Sequence, residues 1–366
     1  MNHSPVHQNN DGQFRGINRN EKKMKRMALK HYKAEEGSSW QGRVDNLNDP
    51  DSFRWHQLIK FIDLSRDVQT PLPSKGKGFC FLGYGCDRGV KKNLGRGGSD
   101  RAPSFIRREL SNHPRSFDAK TRIFDGGNIT CRRDDQTRVG QELSTLVERM
   151  LLLNLFPIIL GGGHDLAVGH YRGIENALNR EGKGASKVGI ICFDAHLDLR
   201  PYTTGPNSGS MFAQIADECA HNKKRLSLFY LGIQKTANTL ALFKKADDIG
   251  AQYILAKDIS DSILPDVIIK LEEFMAQNDH VYLTICSDVF SAAFAPGVSA
   301  PQPFGLHPET GLKLIKHIVA SKKVISFDIA EVLPRFDEDN RTAKLAAIII
   351  FAVINKLSDS PFYGKE

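Results

Sequence analysis

Eight short, mostly apolar runs constrain this chain more than any other feature: Phe79–Tyr84, Arg122–Phe124, Phe156–Leu160, Val188–Phe193, Leu228–Ile233, Gln252–Leu255, Val281–Cys286 and Val324–Ile329. Several are apolar nearly end to end rather than alternating, which marks strands covered on both faces. The segments between them are helix-like, amphipathic and long enough for crossover connections. The pattern predicts an α/β fold with a parallel sheet. A last apolar helix, about Thr342 to Leu357, follows the acidic turn Asp337–Asp339 and reads as a packing element.

With 366 residues, 40% hydrophobic and 25% charged, the chain can bury a full core as one large domain or two ordinary ones. The longest apolar stretch, Leu345 to Ile354, is about half of the roughly 20 residues a membrane-spanning helix needs, so no membrane partner is expected. His3, Asn9, Asn10 and Asp11 stand where a secretory signal would be apolar, and a cytoplasmic location is the expectation. The six cysteines lack paired short spacings, which excludes a zinc-finger pattern or a disulfide framework and leaves buried free thiols. Half of the net charge of +8 sits in residues 1 to 38, read as a polar, basic, disordered extension preceding one domain over 39–366. Lys22, Lys23, Lys25 and Arg26 read as a solvated face, and no nucleic-acid partner is expected.

In a parallel sheet, ligands bind beyond the carboxyl ends of the strands, so chemistry is sought there. Gly161, Gly162, Gly163 and His164 follow one run, and the glycines let the backbone turn sharply and place an imidazole at the head of the next helix. His170, further along, reads as a helix residue rather than a ligand. Asp194, His196 and Asp198 follow another run at a spacing of two. Two carboxylates and an imidazole on one side of a strand end suit a divalent ion such as manganese. Cys286 and Asp288 repeat that spacing after a third run, as further candidate metal ligands. Glu331, beyond Asp328, can face the same crevice.

These motifs, with Phe290–Pro296 and Glu331-Val332-x-Pro334, resemble the arginase (ureohydrolase) family in order and spacing from about Trp40 to the C-terminal helix. The resemblance implies an α/β/α fold around an eight-stranded, mostly parallel sheet and two manganese ions bridged by hydroxide, which attacks a C=N carbon. It implies His164, Asp194 and Asp198 as ligands of one ion and Asp194, His196 and Asp288 as ligands of the other. Asp288 and Glu331 become the catalytic candidates. Trimers or hexamers are likewise implied. Cys286 stands where most of the family has the aspartate that bridges both ions. A thiol suits manganese poorly, so the ion of His164, Asp194 and Asp198 is expected to be the better held.

Flanking residues bear on the substrate. Arg200-Pro201-Tyr202, the loop through Ser208 and Ser210, Trp40–Asp45, Asn93-x-Gly95-Arg96, Gly232–Thr239 and Ala295–Pro301 resemble formimidoylglutamases, which hydrolyse N-formimidoyl-L-glutamate to L-glutamate and formamide in histidine degradation. Such a substrate is an anionic amidine amino acid. Arg200 is the candidate for its carboxylates, Ser208 and Ser210 for further contacts, and Glu331 for the amidinium. Arg96 reads as a structural residue. Phe212 stands where arginases carry a proton-shuttling histidine, a residue formimidoylglutamases commonly lack. The alternatives are a ureohydrolase acting on agmatine or a guanidino acid, and a non-catalytic metal-binding homologue, the latter motivated by Cys286.

Overall fold

The computed structural model describes residues 29–66, 77–118, 120–131 and 136–358. Within them one sheet is built from β1 (Tyr32–Lys33), β2 (Lys60–Phe61), β3 (Gly78–Gly85), β4 (Arg122–Thr130), β5 (Leu155–Gly161), β6 (Val188–Phe193), β7 (Ser227–Ile233), β8 (Gln252–Leu255), β9 (His280–Cys286) and β10 (Val324–Ala330). The order is β1-β4-β3-β5-β10-β9-β6-β7-β8, with β2 also on β4, and every pairing is parallel except β1 on β4. The eight predicted runs are β3 to β10, several a residue or two longer than the apolar pattern and β4 longer still.

The end-to-end apolar strands have the predicted cause. Alternate side chains enter opposite layers: Phe79, Phe81, Ile191 and Phe193 join one core, while Cys80, Leu82, Ile190 and Cys192 join the other. Helices cover both faces. Ala102–Ser111, Leu264–Ala276, Pro308–Ala320 and Arg341–Leu357 lie over the first core, and Gln136–Leu152, Leu166–Arg180 and Met211–His221 over the second. The Arg341–Leu357 helix is the predicted packing element, and Asp337 of the acidic turn accepts the N–H groups of Thr342 and Ala343 at its start (2.8 and 3.0 Å).

The boundary set at residue 38 needs correction. Residues 29–38 join the fold, with Tyr32 and Lys33 pairing antiparallel with Ile129 and Asn128. The backbone N–H groups of Lys30 and His31 donate to the Glu142 carboxylate, and the Leu64 N–H donates to the Tyr32 hydroxyl at 2.8 Å. A two-residue strand has no periodicity to read, and its partners lie about thirty to over a hundred positions away. Residues 1–28, including Lys22, Lys23, Lys25 and Arg26, lie outside the described residues. Among the described residues no helix is long and apolar enough to cross a membrane, and no disulfide joins any of the cysteines.

The order of the sheet positions the chemistry. Strands β5, β10, β9 and β6 are consecutive neighbours at its centre, and these are the four whose carboxyl ends carry the polar clusters. After β5 the chain crosses over to β6, runs outward through β7 and β8, and returns to insert β9 and β10. The reversal places a crevice over these strand ends, the usual ligand position in such sheets.

Candidate metal centre

The turn after β5 is forced by its neighbours. A Cβ on Gly162 would lie 2.2 Å from the Cys86 carbonyl oxygen and 2.6 Å from that of Tyr84, so only glycine lets the turn cross the end of β3. The N–H groups of Gly162 and Gly163 donate to those two carbonyls, both at 2.8 Å. Glu331, in the left-handed region at φ +65°, ties the turn to β10: its N–H donates to the Gly162 carbonyl, and its Oε1 accepts from the His164 N–H, both at 2.9 Å.

His164 is thereby buried, its ring reaching Thr284 of β9 and Asp194 just after β6. Its Nε2 lies 2.8 Å from Thr284 Oγ1, and Thr284 donates its only hydroxyl proton to Asp328 Oδ1 at 2.6 Å. Nε2 must therefore be the donor, which leaves Nδ1 facing Asp194 Oδ2 at 2.9 Å. Two acceptors that close need a proton or a cation between them. Asp328, fully buried, also accepts from Tyr282 and pairs with His170 Nδ1 at 2.6 Å, and His170 Nε2 meets Ser326. His170 is a buried support rather than a ligand, as the sequence indicates. Phe212 packs edge-on against His164, with centroids 6.1 Å apart, and is itself fully buried.

Two groups of three side chains have ligand atoms within 4.8 Å of one another: His164, Asp194 and Cys286, and Asp194, His196 and Asp288. Asp194 belongs to both. His196 Nδ1 lies 3.4 Å from Asp194 Oδ1 and 3.2 Å from Asp288 Oδ2. The second group contains the three residues that the family resemblance implies for one ion. The first contains Cys286, a candidate ligand from its place at the end of β9, while Asp198 falls in neither group although its Oδ2 lies 3.9 Å from His164 Nδ1. Asp198 adopts φ +48°, so strict strand alternation has ended before it.

The electrostatics fit a site completed by cations. Burial, together with the charge of Asp194, pushes Asp198 up to about 8, and burial with the charge of Asp288 pushes Glu331 to about 8. Burial and the nearby carboxylates of Asp194, Asp288 and Glu331 drive the Cys286 thiol well up. Burial opposes charge on His164, but its hydrogen bond to Asp194 and the charges of Asp194, Asp328 and Asp198 together outweigh this and raise it to about 9. Asp288 Oδ1 is buried with no hydrogen-bond partner. Crowded anions that hold protons, beside an orphaned carboxylate oxygen, mark missing positive charge.

Beside these groups is a cavity of about 260 Å³ lined by His164, His196, Asp198, Cys286, Asp288 and Glu331 and also by Asn93, Arg96, Arg200, Ser208 and Ser299. Arg200 is exposed. Ser208 is reached by Asn93 Nδ2 at 3.4 Å. Ser210 is corrected: it does not line the cavity, is fully buried, donates to the Asn207 carbonyl and accepts from Gln214. It braces the loop. Arg96 is structural in the predicted sense. Its Nε donates to the Ser299 carbonyl at 3.0 Å, its Nη2 to that of Val298, and it lies over Phe336.

Sequence reasoning missed Thr284 and the supporting role of Asp328. One signal was available, because Thr284, Cys286 and Asp288 share a spacing of two. Thr284→Val, which keeps the side-chain shape but removes the acceptor for His164 Nε2, is predicted to weaken divalent-cation binding about 10–100-fold. Competition against a chelator checks it, and unchanged affinity would remove Thr284 from the site.

The arginase-family sequence model, described as "Arginase family", matches residues 77–355. A formimidoylglutamase of Clostridium tetani is 47% identical over 329 residues, covering 90% of this chain and 97% of the relative. One from Geobacillus thermodenitrificans is 42% identical over 316 residues, covering 86% and 94%. Among solved structures, formimidoylglutamase from Bacillus subtilis aligns with TM-score 0.72 at 23% identity, covering 88% of this chain and 97% of its own. A Trypanosoma cruzi formiminoglutamase with two Mn2+ ions aligns with TM-score 0.68 at 20% identity, covering 82% and 99%. At these identities the structural likenesses establish a shared fold.

Proposed function

The chain belongs to the arginase family, and on that premise we propose that it is a formimidoylglutamase, hydrolysing N-formimidoyl-L-glutamate with water to L-glutamate and formamide. The observation that carries this reading is the 47% identity to a formimidoylglutamase across 97% of that enzyme. A small polar cavity lined by a guanidinium and several carboxylates supports it. The anionic substrate favours Arg200, and the amidinium favours Glu331.

In this reading two divalent cations, manganese in the Trypanosoma cruzi relative, are held by the two groups that share Asp194. When bound, they activate a water and withdraw electron density from the amidine carbon. The protein's own residues do the rest. Thr284 and Asp328 hold the His164 ring with Nδ1 free, and Asp194 serves both positions. Glu331, anchored through Oε1 to the His164 N–H, meets the amidinium and sets its plane. Arg200 with Ser208 holds the carboxylate end, so that the C–N bond to be cleaved lies over the strand ends. Asp288, which lines the cavity beside Glu331, is the candidate to carry a proton to the departing glutamate amine.

Arg200→Gln is expected to raise KM for N-formimidoyl-L-glutamate roughly 10–100-fold, the loss of about 1.5–3 kcal/mol for a charge-assisted hydrogen bond, with a smaller change in kcat. The reading itself is tested by formamide and glutamate release against arginine, agmatine and a guanidino acid. Turnover of one of those in preference to the formimidoyl substrate would overturn it.

A further inference from the structure

Resting on the metallohydrolase reading above, we propose that Cys286 Sγ is a metal ligand, and that its position with His164 and Asp194 selects a borderline-soft divalent cation of the zinc, cobalt or ferrous class. Asp194, His196 and Asp288 then form a harder neighbouring position suited to manganese. The two halves of the centre differ in the metal they prefer.

Three observations carry this. Cys286 is the last residue of β9, 2% exposed, and its sulfur falls within 4.8 Å of the ligand atoms of both His164 and Asp194. A thiol that merely packs a core is surrounded by apolar atoms. This one is grouped with Asp194 and lines the same cavity as Asp288 and Glu331, an environment that apolar packing does not explain. Thirdly, Asp288, two residues on and 4% exposed, has a buried oxygen without a partner in the adjoining group.

The donor sets decide the preference. Nitrogen, carboxylate oxygen and sulfur together favour zinc, cobalt or iron over manganese, and the general affinity order of divalent metals runs the same way. Oxygen, nitrogen and oxygen in the other group lack the soft donor. A carboxylate at position 286 could offer one oxygen to each of two ions, whereas a thiolate offers a single atom. Binding converts the thiol to thiolate, and its proton leaves to solvent.

The test titrates the metal-free full-length protein with Co2+ while counting bound metal by atomic emission. A sulfur-to-cobalt charge-transfer band in the near ultraviolet is expected with the first equivalent, and it should vanish in Cys286→Ser. One equivalent of Zn2+ should displace the band, and a tenfold excess of Mn2+ should not. Cys286→Asp, which keeps a ligand at this position, serves as a second variant and should also lack the band. Cobalt bound without the band overturns the proposal. So does a band that survives in both variants, or displacement by Mn2+ as readily as by Zn2+. Failure to bind any divalent cation overturns this proposal and the metallohydrolase reading together. A Cys286-dependent band without hydrolysis of N-formimidoyl-L-glutamate leaves this inference standing and sinks the substrate assignment alone.

Discussion

Asp194→Asn is expected to lower kcat/KM for N-formimidoyl-L-glutamate by at least about a thousandfold, because it removes the one charge common to both cation positions. Asp194 is fully buried, with one oxygen 2.9 Å from His164 Nδ1 and the other accepting the His196 N–H at 2.7 Å. Burial opposes its charge, but hydrogen bonds from His164 and His196 hold its carboxyl well below the usual range. Asparagine keeps the volume and can still accept from the His196 N–H, so the backbone at the end of β6 stays in place. Lost activity would then report lost charge. Bound metal should fall from two ions per chain to one or none. A variant that keeps both ions, or turns over within tenfold of the parent, would refute the shared-ligand arrangement.

The largest stability effect is expected away from the cleft. Arg107, from the Ala102–Ser111 helix, and Asp125 on β4 form a buried two-point pair, Nε to Oδ2 at 2.6 Å and Nη2 to Oδ1 at 2.9 Å. Asp125 also accepts from Trp40 Nε1 at 2.6 Å and from the Gly127 N–H at 2.9 Å. Arg107 reaches Asn128 and the Gly127 carbonyl as well. Asp125→Ala strands a buried guanidinium and an indole N–H, and should cost about 3–5 kcal/mol in denaturant unfolding. Replacing both partners, Arg107→Met with Asp125→Leu, should cost less than either single change, because no charge is then left buried alone. A single-variant loss below about 1 kcal/mol would contradict the pair's role. The pair lies at the β4 side of the sheet, so metal content per folded molecule should not change.

Much of this was legible in the chain. Strand faces follow a period of two, and strands buried on both sides lose their polar half, so β3 to β10 appeared as apolar runs of nearly the right extent. The clusters at Gly161–His164, Asp194–Asp198 and Cys286–Asp288 stood out because polar residues directly after such runs have no packing role. Illegible were features whose partners lie far along the chain. Tyr32–Lys33 is a strand only because β4 leaves an edge beside it. Ser210, in the loop that leads into the Met211–His221 helix, looked like a substrate contact, yet its hydroxyl is spent on Asn207 and Gln214. The Arg107–Asp125 pair gave no signal, since neither residue differs in sequence from a surface charge.

The sequence by itself determined the strands, the helices between them and the residue types at each strand end, because these follow from local periodicity and the chemistry of single side chains. Tertiary structure alone decided that β5, β10, β9 and β6 are neighbours, which turns four separate strand ends into one centre. It decided that Asp194 is common to two groups and that Thr284 and Asp328 set the face His164 presents. It also put Cys286 in one group with His164 and Asp194. The reason is the crossover order: strand adjacency depends on how the chain returns across the sheet, and distances between ligands depend on that adjacency, whereas a linear pattern records only spacing along the backbone.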